Sequence, residues 1–228
     1  MEHWIYSISL FGHNFTFNVD TVITMWIAMA VLLILAFFAT RKISVFPSKL
    51  QIAFENILGF FWGMSDSLMG KEGRKHIPLI ASLFFFIIVA NLMGQIPFRA
   101  IELKSGELAS PTNDINVTAA LAIIVLIYYV AAGFKKKKIK FLLKDFSLVS
   151  IIICLVDILD MFTRPLTLAL RLFGNILAGE ILISAMLGLC AYFLPIPFMF
   201  FEVLVAGVQA LVFSMLTMVY ISSAIQEE

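Results

Sequence analysis

Long apolar runs are the feature that most constrains how this chain can fold. Residues 21–40, 77–97, 115–134 and 197–226 each hold an apolar stretch of roughly the 20 residues that a spanning helix needs. A fifth stretch, 146–194, is apolar for longer than one crossing requires. Only 14% of the 228 residues are charged, whereas about a quarter are charged in an ordinary soluble domain. We therefore predict an all-α polytopic membrane protein with about five membrane-embedded helices.

The remaining segments complete a single predicted membrane domain over residues 1–228. Residues 1–20 are polar and precede the first spanning helix, so we expect them to form an outer tail. Residues 47–72 are less apolar and carry Lys49, Glu55 and Asp66. This composition fits either an amphipathic helix on the membrane surface or a weakly inserted one, and it favours the surface helix.

The last two segments are predicted to form a long antiparallel hairpin over 146–194 and 197–226. Pro195 and Pro197 break the chain between them, because proline lacks an amide donor and restricts the residue before it. The two helices of the hairpin are therefore expected to be neighbours.

Basic residues in the connecting segments orient the chain. The segments 41–76 and 135–144 carry six Lys or Arg residues each, whereas 98–114 carries two and the N-terminal tail carries none. By the positive-inside rule the two basic segments and the C-terminus face the cytoplasm, and the N-terminus faces outside. The lysine run 135–138 fits this signal, although it could also bind acidic lipid or a partner stalk. The net charge of +1 gives no reason to expect a nucleic-acid partner.

Polar and ionisable side chains interrupt the fifth segment, where such groups are costly and mark functional sites. They are Asp157, Asp160, Arg164, Arg171, Asn175 and Glu180. At about 100° per residue the first five form one stripe, and Glu180 points away from it. On the last helix Glu202 and Gln209 are seven residues apart and share a face.

Arg171 is the group that is hardest to explain as structural. Arginine keeps its charge in proteins, so it must meet a carboxylate, water or a polar cavity. Gly174 and Ala178 lie close to it in angle and are small enough for a partner helix to approach. Counted from the hairpin turn, Glu180 and Glu202 lie at nearby depths towards the outer side, with Arg171 deeper. The pattern predicts an outer acidic vestibule that leads to one buried cation.

Simpler readings of the other polar residues stay open. Asp157, Asp160 and Arg164 fit a surface ion-pair cluster as well as they fit an ion pathway. Asn175 and Gln209 could be hydrogen-bonding residues between helices. Either glutamate could be a neutral structural group.

Four ordered strings resemble the a subunits of F-type ATP synthases. They are RPLTLALRLFGNILAGE at 164–180, NLMGQIP at 91–97, PTNDINVT at 111–118 and VQALVFSMLTMVY at 208–220. The resemblance extends from about residue 77 to the C-terminus. It implies that the last hairpin is tilted and packs along a ring of c subunits, which would explain the length of 146–194.

The resemblance also implies roles for individual residues. Arg171 would be the family's essential arginine, which meets each ring carboxylate in turn and separates two offset half-channels. Glu180 and Glu202 would belong to the outer entry side, with Asn175 and Gln209 near the arginine. Asp114 and Asn116 could line the entry mouth, and Asp157 and Asp160 a cytoplasmic exit. Some relatives have histidine in place of Glu202; here two acidic groups would couple, which suits a proton relay.

The function implied is that of a stator subunit of the Fo motor, which couples proton flow to ring rotation and ATP synthesis. The implied partners are the c-subunit ring, the peripheral-stalk b subunits, the whole F1Fo complex and membrane lipid. The sequence has no Gly-rich loop followed by Lys-Ser/Thr, so we expect no nucleotide binding, and also no cofactor, no metal and no catalysis by this chain alone. The expected location is a bacterial plasma membrane, with an organellar inner membrane as the alternative.

Three other functions stay open. The chain could be a sodium-translocating version of the same subunit. It could be a stand-alone ion transporter that uses the same buried charges, or a membrane scaffold that conducts nothing.

Overall fold

The computed structural model describes residues 5–10, 13–41, 47–94, 110–137, 148–189 and 195–226. Within these ranges the side chains of 5–17, 137, 148–154, 157 and 189 lie outside the description. The loop 98–109 and the lysines beyond residue 137, which the orientation argument used, lie outside it too.

Six helices, a strand hairpin and two 3-10 segments make up the described chain. In order they are β1 (Ile5–Leu10), β2 (His13–Asn18), α1 (Val19–Thr40), α2 (Lys49–Met69), a 3-10 segment (Gly70–His76), α3 (Ile77–Met93), a 3-10 turn (Pro111–Asn113), α4 (Ile115–Lys137), α5 (Leu148–Leu189) and α6 (Pro195–Ile225). Helix α6 begins at Pro195, so the two prolines lie in its first turn. Proline is tolerated there because the first amides of a helix have no partner within it.

The membrane class predicted from hydropathy is confirmed. Five of the described segments are long and apolar enough to cross a membrane: Val19–Thr40, Lys49–Met93, Ile115–Lys136, Ile158–Gly188 and Pro195–Ile225. Large apolar side chains also point away from the protein: on α1, Trp26 is 65% exposed and Leu33 is 71% exposed. Exposed apolar surfaces of this kind are unfavourable in water and favourable in contact with lipid acyl chains.

The hairpin of β1 and β2 is a feature that the sequence analysis missed. Its antiparallel register pairs Ile5 with Asn18 and Leu10 with His13. The alternation of polar and apolar residues in 13–18, HNFTFN, is the signal that a strand prediction would have used.

Hydrogen bonds between distant residues define two faces of the helix bundle. The first, here called the N-terminal face, holds the start of α1, the end of α3 and the start of α4. Asn18, which precedes α1, donates through Nδ2 to Oδ2 of Asp114 over 2.8 Å. Thr112 donates through Oγ1 to Oδ1 of Asn91, near the end of α3, also over 2.8 Å. These bonds bring three helix ends to one level.

The opposite face, here called the C-terminal face, holds the ends of α2, α4 and α6. Gln226 donates through Nε2 to the carbonyl oxygen of Leu68 over 2.7 Å. Lys136 forms an ion pair with Glu72. The second basic segment therefore meets the first at this face, through Lys136 and Glu72.

Aromatic rings pack helix α2 against α3. The rings of Phe54 and Phe85 stack with centroids 4.6 Å apart, and those of Phe61 and Phe84 meet edge-on at 5.2 Å. Phe54 and Phe61 of α2 therefore both contact α3, at its adjacent residues Phe85 and Phe84.

Helix α5 continues through Pro165, and a neighbouring helix compensates for that proline. Proline has no amide hydrogen, so the carbonyl of Met161, four residues earlier, loses its helical partner. The hydroxyl of the buried Tyr129 on α4 donates to that carbonyl oxygen over 2.9 Å. The helix is thus 42 residues long, about twice the length that an upright crossing needs.

Candidate functional site

Arg171 lies near the middle of the spanning part of α5, with its side chain exposed. Leu168 and Leu172 on the inner side of the helix are buried at 1% and 0% exposure. Within the part of the chain that the structure describes, the guanidinium makes no hydrogen bond and no ion pair. The charge therefore points out of this chain at a depth where its neighbours are apolar.

The small residues beside Arg171 leave an open face. A Cβ placed on Gly174 would meet no described atom within 4 Å, and Ala178 is exposed. The three residues together are called the arginine face below. Nothing in the described chain prevents another helix from approaching it closely.

A pair of amides joins α5 to α6 one turn beyond Arg171. Asn175 donates through Nδ2 to Oε1 of Gln209 over 2.9 Å. Gln209 is 3% exposed, and its Nε2 has no partner among the described atoms. The predicted polar stripe thus runs along the boundary between the last two helices.

Glu202 on α6 packs against the backbone of α5 at Gly179. A Cβ on Gly179 would lie only 2.6 Å from the carboxyl carbon of Glu202. Only glycine leaves room for the carboxyl group in this position. Glu202 is 5% exposed. Glu180 directly follows Gly179 on α5, so the two predicted glutamates come from adjoining positions of the interface between α5 and α6.

Asn113 binds the carboxyl group of Glu180. Its Nδ2 donates to Oε2 of Glu180 over 2.6 Å, and Glu180 is 8% exposed. Sequence reasoning missed Asn113, although the residue stands in the 111–118 string beside the predicted Asp114.

The turn that carries Asn113 is fixed by buried polar groups. Thr112 is bound to Asn91, as described above, and Ser110 donates through Oγ to the carbonyl oxygen of Ala90 over 2.9 Å. Asn91 is fully buried and donates through Nδ2 to the carbonyl oxygen of Ala206 on α6 at 3.4 Å. The turn is therefore attached to both α3 and α6.

Asp114 and Asn116 lie at the start of α4 and bind each other. Oδ1 of Asp114 accepts from the backbone and side-chain nitrogens of Asn116, each at 2.9 Å. Its Oδ2 accepts from Asn18. This is the geometry of a helix N-cap, and none of the hydrogen bonds described for these two residues reaches Glu180.

Asp160 and Arg164 form an exposed cluster nearer the C-terminal face. Their side chains form an ion pair at 3.4 Å. Arg164 also donates to Oγ of Ser223 over 3.0 Å and lies over the ring of Tyr220, 5.4 Å from its centroid. The cluster ties α5 to α6 at this end. The side chain of Asp157 lies outside the described residues.

The chemistry available to this arrangement is proton or ion transfer. Two buried carboxyl groups can bind and release protons, amides can donate or accept hydrogen bonds, and a fixed positive charge can favour an ionised partner. Among the described residues no group of three His, Cys, Asp or Glu side chains could hold a metal ion.

Comparison with known proteins agrees with the resemblance seen in the sequence. The family model described as "ATP synthase A chain" matches residues 22–222. The chain is 41% identical over 209 residues to a protein named "ATP synthase subunit a" from Gloeobacter violaceus (strain ATCC 29082 / PCC 7421), and the match covers 91% of this chain and 84% of the relative. The chain therefore belongs to the ATP synthase A chain family.

Proposed function

We propose that this chain is the stator subunit of the Fo motor and supplies two half-channels that load and unload carboxylates on a rotating c ring. As a member of its family the chain is a multi-pass membrane component of ATP synthase that is not catalytic by itself. The finer proposal rests on one observation: Arg171 is exposed in the middle of a spanning helix and has no partner among the described residues.

The arginine face suits a moving partner that carries a carboxylate. A charge at this depth is costly unless a counter-ion or water meets it. The arginine favours the ionised form of an opposing carboxyl group, so it helps to remove the proton from each arriving ring site. Gly174 and Ala178 leave room for the ring helix. A stand-alone transporter would need the counter-charge within its own chain.

The entry half-channel is proposed to contain Glu180 and Glu202. Glu180 lies nine residues from Arg171, about 13 Å along the helix towards the N-terminal face. Both glutamates are buried between helices and can carry protons. Asp114 and Asn116 lie at the same face, at the proposed mouth, and Asn175 and Gln209 lie between the glutamates and the arginine.

The exit half-channel is proposed to open towards the C-terminal face past Asp160, with Asp157 on the same helix. Arg171 then separates the two half-channels, which prevents protons from passing without rotation of the ring. The potential across the membrane does work of about 2.3 kcal/mol on each charge per 100 mV.

The proposed setting is a bacterial plasma membrane with the C-terminal face in the cytoplasm. Lys136, from the second basic segment, pairs at that face with Glu72 of the first basic segment, which agrees with the positive-inside rule. The charged residues Lys49, Glu55 and Asp66 along α2 support a surface position for this helix. The b subunits of the peripheral stalk and lipid are the further proposed partners.

The test is ATP-driven acidification of vesicles that contain the whole complex, with wild type compared with Arg171→Ala. Leu170→Ala, at the neighbouring exposed position, is the matched control. We expect Arg171→Ala to abolish pumping while the complex assembles, and Leu170→Ala to retain it. A gradient that a protonophore collapses and that does not need sodium identifies the ion as the proton. Normal pumping by Arg171→Ala would overturn the proposal.

A further inference from the structure

The geometry points to Asn113 as a positioning residue for proton entry, whose amide holds the carboxyl group of Glu180 and can serve both of its protonation states. The inference rests on the proposed function, because it takes Glu180 as part of the entry half-channel.

The first support is the contact itself. Nδ2 of Asn113 lies 2.6 Å from Oε2 of Glu180, whose side chain is 8% exposed. A carboxylate removed from water is costly unless donors surround it. The amide of Asn113 supplies one such donor and so makes the ionised form of Glu180 accessible in a buried position.

The second support is the other end of the same amide. Oδ1 of Asn113 is buried and accepts no hydrogen bond from the described atoms. An amide carries a donor on one side and an acceptor on the other. A half-turn of the side-chain amide would present Oδ1 to Glu180, where it can accept from the O–H of the protonated acid. One side chain can thus bind Glu180 before and after it takes up a proton.

The third support is the rigid attachment of Asn113. Thr112 and Asp114, its chain neighbours, are bound to Asn91 and Asn18 respectively. The backbone at residue 113 is thereby held from α3 on one side and from the start of α1 on the other. The side-chain amide can rotate while the backbone keeps it at a constant distance from Glu180. A positioning residue must hold its partner in this way.

Other charged groups near Glu180 must be distinguished from this effect. From α6 Glu202 lies against Gly179, next in the chain to Glu180. From the start of α4 Asp114 directs its carboxylate to Asn18 and Asn116. On α5 itself Arg171 lies more than two turns away. These groups are unchanged when Asn113 alone is replaced. A shift in the pH profile of ATP synthesis can therefore be assigned to the loss of the Asn113 amide.

The experiment measures ATP synthesis by the whole complex in proteoliposomes at a constant potassium diffusion potential, while the pH is varied on the side of the N-terminal face. Asn113→Leu keeps the approximate shape and removes both hydrogen-bonding groups. Ile115→Ala, an exposed residue at the start of α4, is the control. Asn113→Leu is also combined with Glu180→Gln, and assembly is measured as the content of intact complex.

We expect Asn113→Leu to lower the synthesis rate by a factor on the order of ten, because the lost bond joins a charged acceptor. The bond to the ionised state is the stronger of the two, so its loss should move the midpoint of the pH profile upward by about one unit. In the Glu180→Gln background Asn113→Leu should add no further loss. Ile115→Ala should keep the wild-type profile.

Three results separate the possible failures. If Glu180→Gln is slow but Asn113→Leu keeps the wild-type rate and profile, the role of Asn113 is wrong. An equal further loss from Asn113→Leu in the Glu180→Gln background would mean that Asn113 acts through packing, and would also overturn the inference. If Glu180→Gln itself behaves as wild type, the proposed entry half-channel fails. Should Asn113→Leu not assemble, Asn113→Ala gives the same comparison, because it also removes both hydrogen-bonding groups.

Discussion

Asn175 and Gln209 join the last two helices through a hydrogen bond of 2.9 Å, one turn of α5 beyond Arg171. The pair crosses the helix interface beside the arginine face. It holds two uncharged polar groups next to a fixed charge, on the side of Arg171 that faces Glu180 along the helix.

Replacing Asn175 and Gln209 should lower the pumping rate by amounts that do not add when both are replaced. We expect Asn175→Leu and Gln209→Leu each to slow ATP-driven pumping by about threefold to tenfold, since each leaves the other amide without its partner. The double variant should be no slower than the worse single variant, because the two residues act as one pair. Val208→Leu, at the neighbouring exposed position, is the control. Multiplied losses in the double variant would show that the two amides act independently.

Gly179→Ala should displace the carboxyl group of Glu202. The added Cβ would lie 2.6 Å from the carboxyl carbon, and the end of a flexible side chain can move aside. We therefore expect an assembled complex with proton transport slowed severalfold. Pumping rates and complex content in the same vesicles check this prediction.

Gly188→Ala is the matched control for that change, because a Cβ there meets nothing within 4 Å. It should leave pumping and complex content intact. Equal pumping by both glycine variants would show that the position of Glu202 is unimportant for transport.

Tyr129→Phe should destabilise α5 around Pro165. The change leaves the carbonyl of Met161 without its donor, and an unsatisfied buried carbonyl costs about 1–3 kcal/mol. The expected result is a lower thermal denaturation midpoint of the detergent-solubilised complex. Pro165→Ala restores the missing amide, so Tyr129→Phe should cost much less in that background. A cost that is the same in both backgrounds would contradict the role assigned to the hydroxyl.

The Asp160→Asn variant tests whether Asp160 forms only a surface ion pair or also belongs to an exit pathway. The pair with Arg164 is exposed at 52% on the side of Asp160, and exposed pairs contribute about 0–1 kcal/mol. We therefore expect little change in thermal stability. If Asp160 belongs to the exit half-channel, pumping should fall severalfold in the same sample. Unchanged pumping would show that Asp160 forms the surface ion pair and has no role in the exit half-channel.

Much of the site follows from local patterns in the chain. An apolar run of sufficient length must enter the membrane as a helix, so the membrane class could be predicted from hydropathy alone. Arg171 could be singled out because its charge cannot be neutralised and its neighbours in the chain are apolar. The four strings resemble the a subunits of F-type ATP synthases, and the comparison with known proteins confirmed the family.

Other features depend on which residues meet across the fold. Pro165 and Tyr129 are 36 residues apart, and Asn113 and Glu180 are 67 apart. No periodicity within one segment can pair such residues, because the pairing depends on helix rotation, tilt and register. The same holds for Glu202, whose place over Gly179 depends on how α6 lies along α5.

The sequence by itself therefore determined that this protein lies in a lipid membrane and roughly where its helices extend. It also determined that a permanent positive charge lies within a spanning helix. Each of these properties is set by neighbours along the chain, through hydrophobic length and the cost of burying a charge. Only the tertiary structure decided that Asn113, rather than Asp114 or Asn116, contacts Glu180. That choice depends on the orientation of a short turn held by Asn91 and Asn18, and contacts between separate segments supply this orientation.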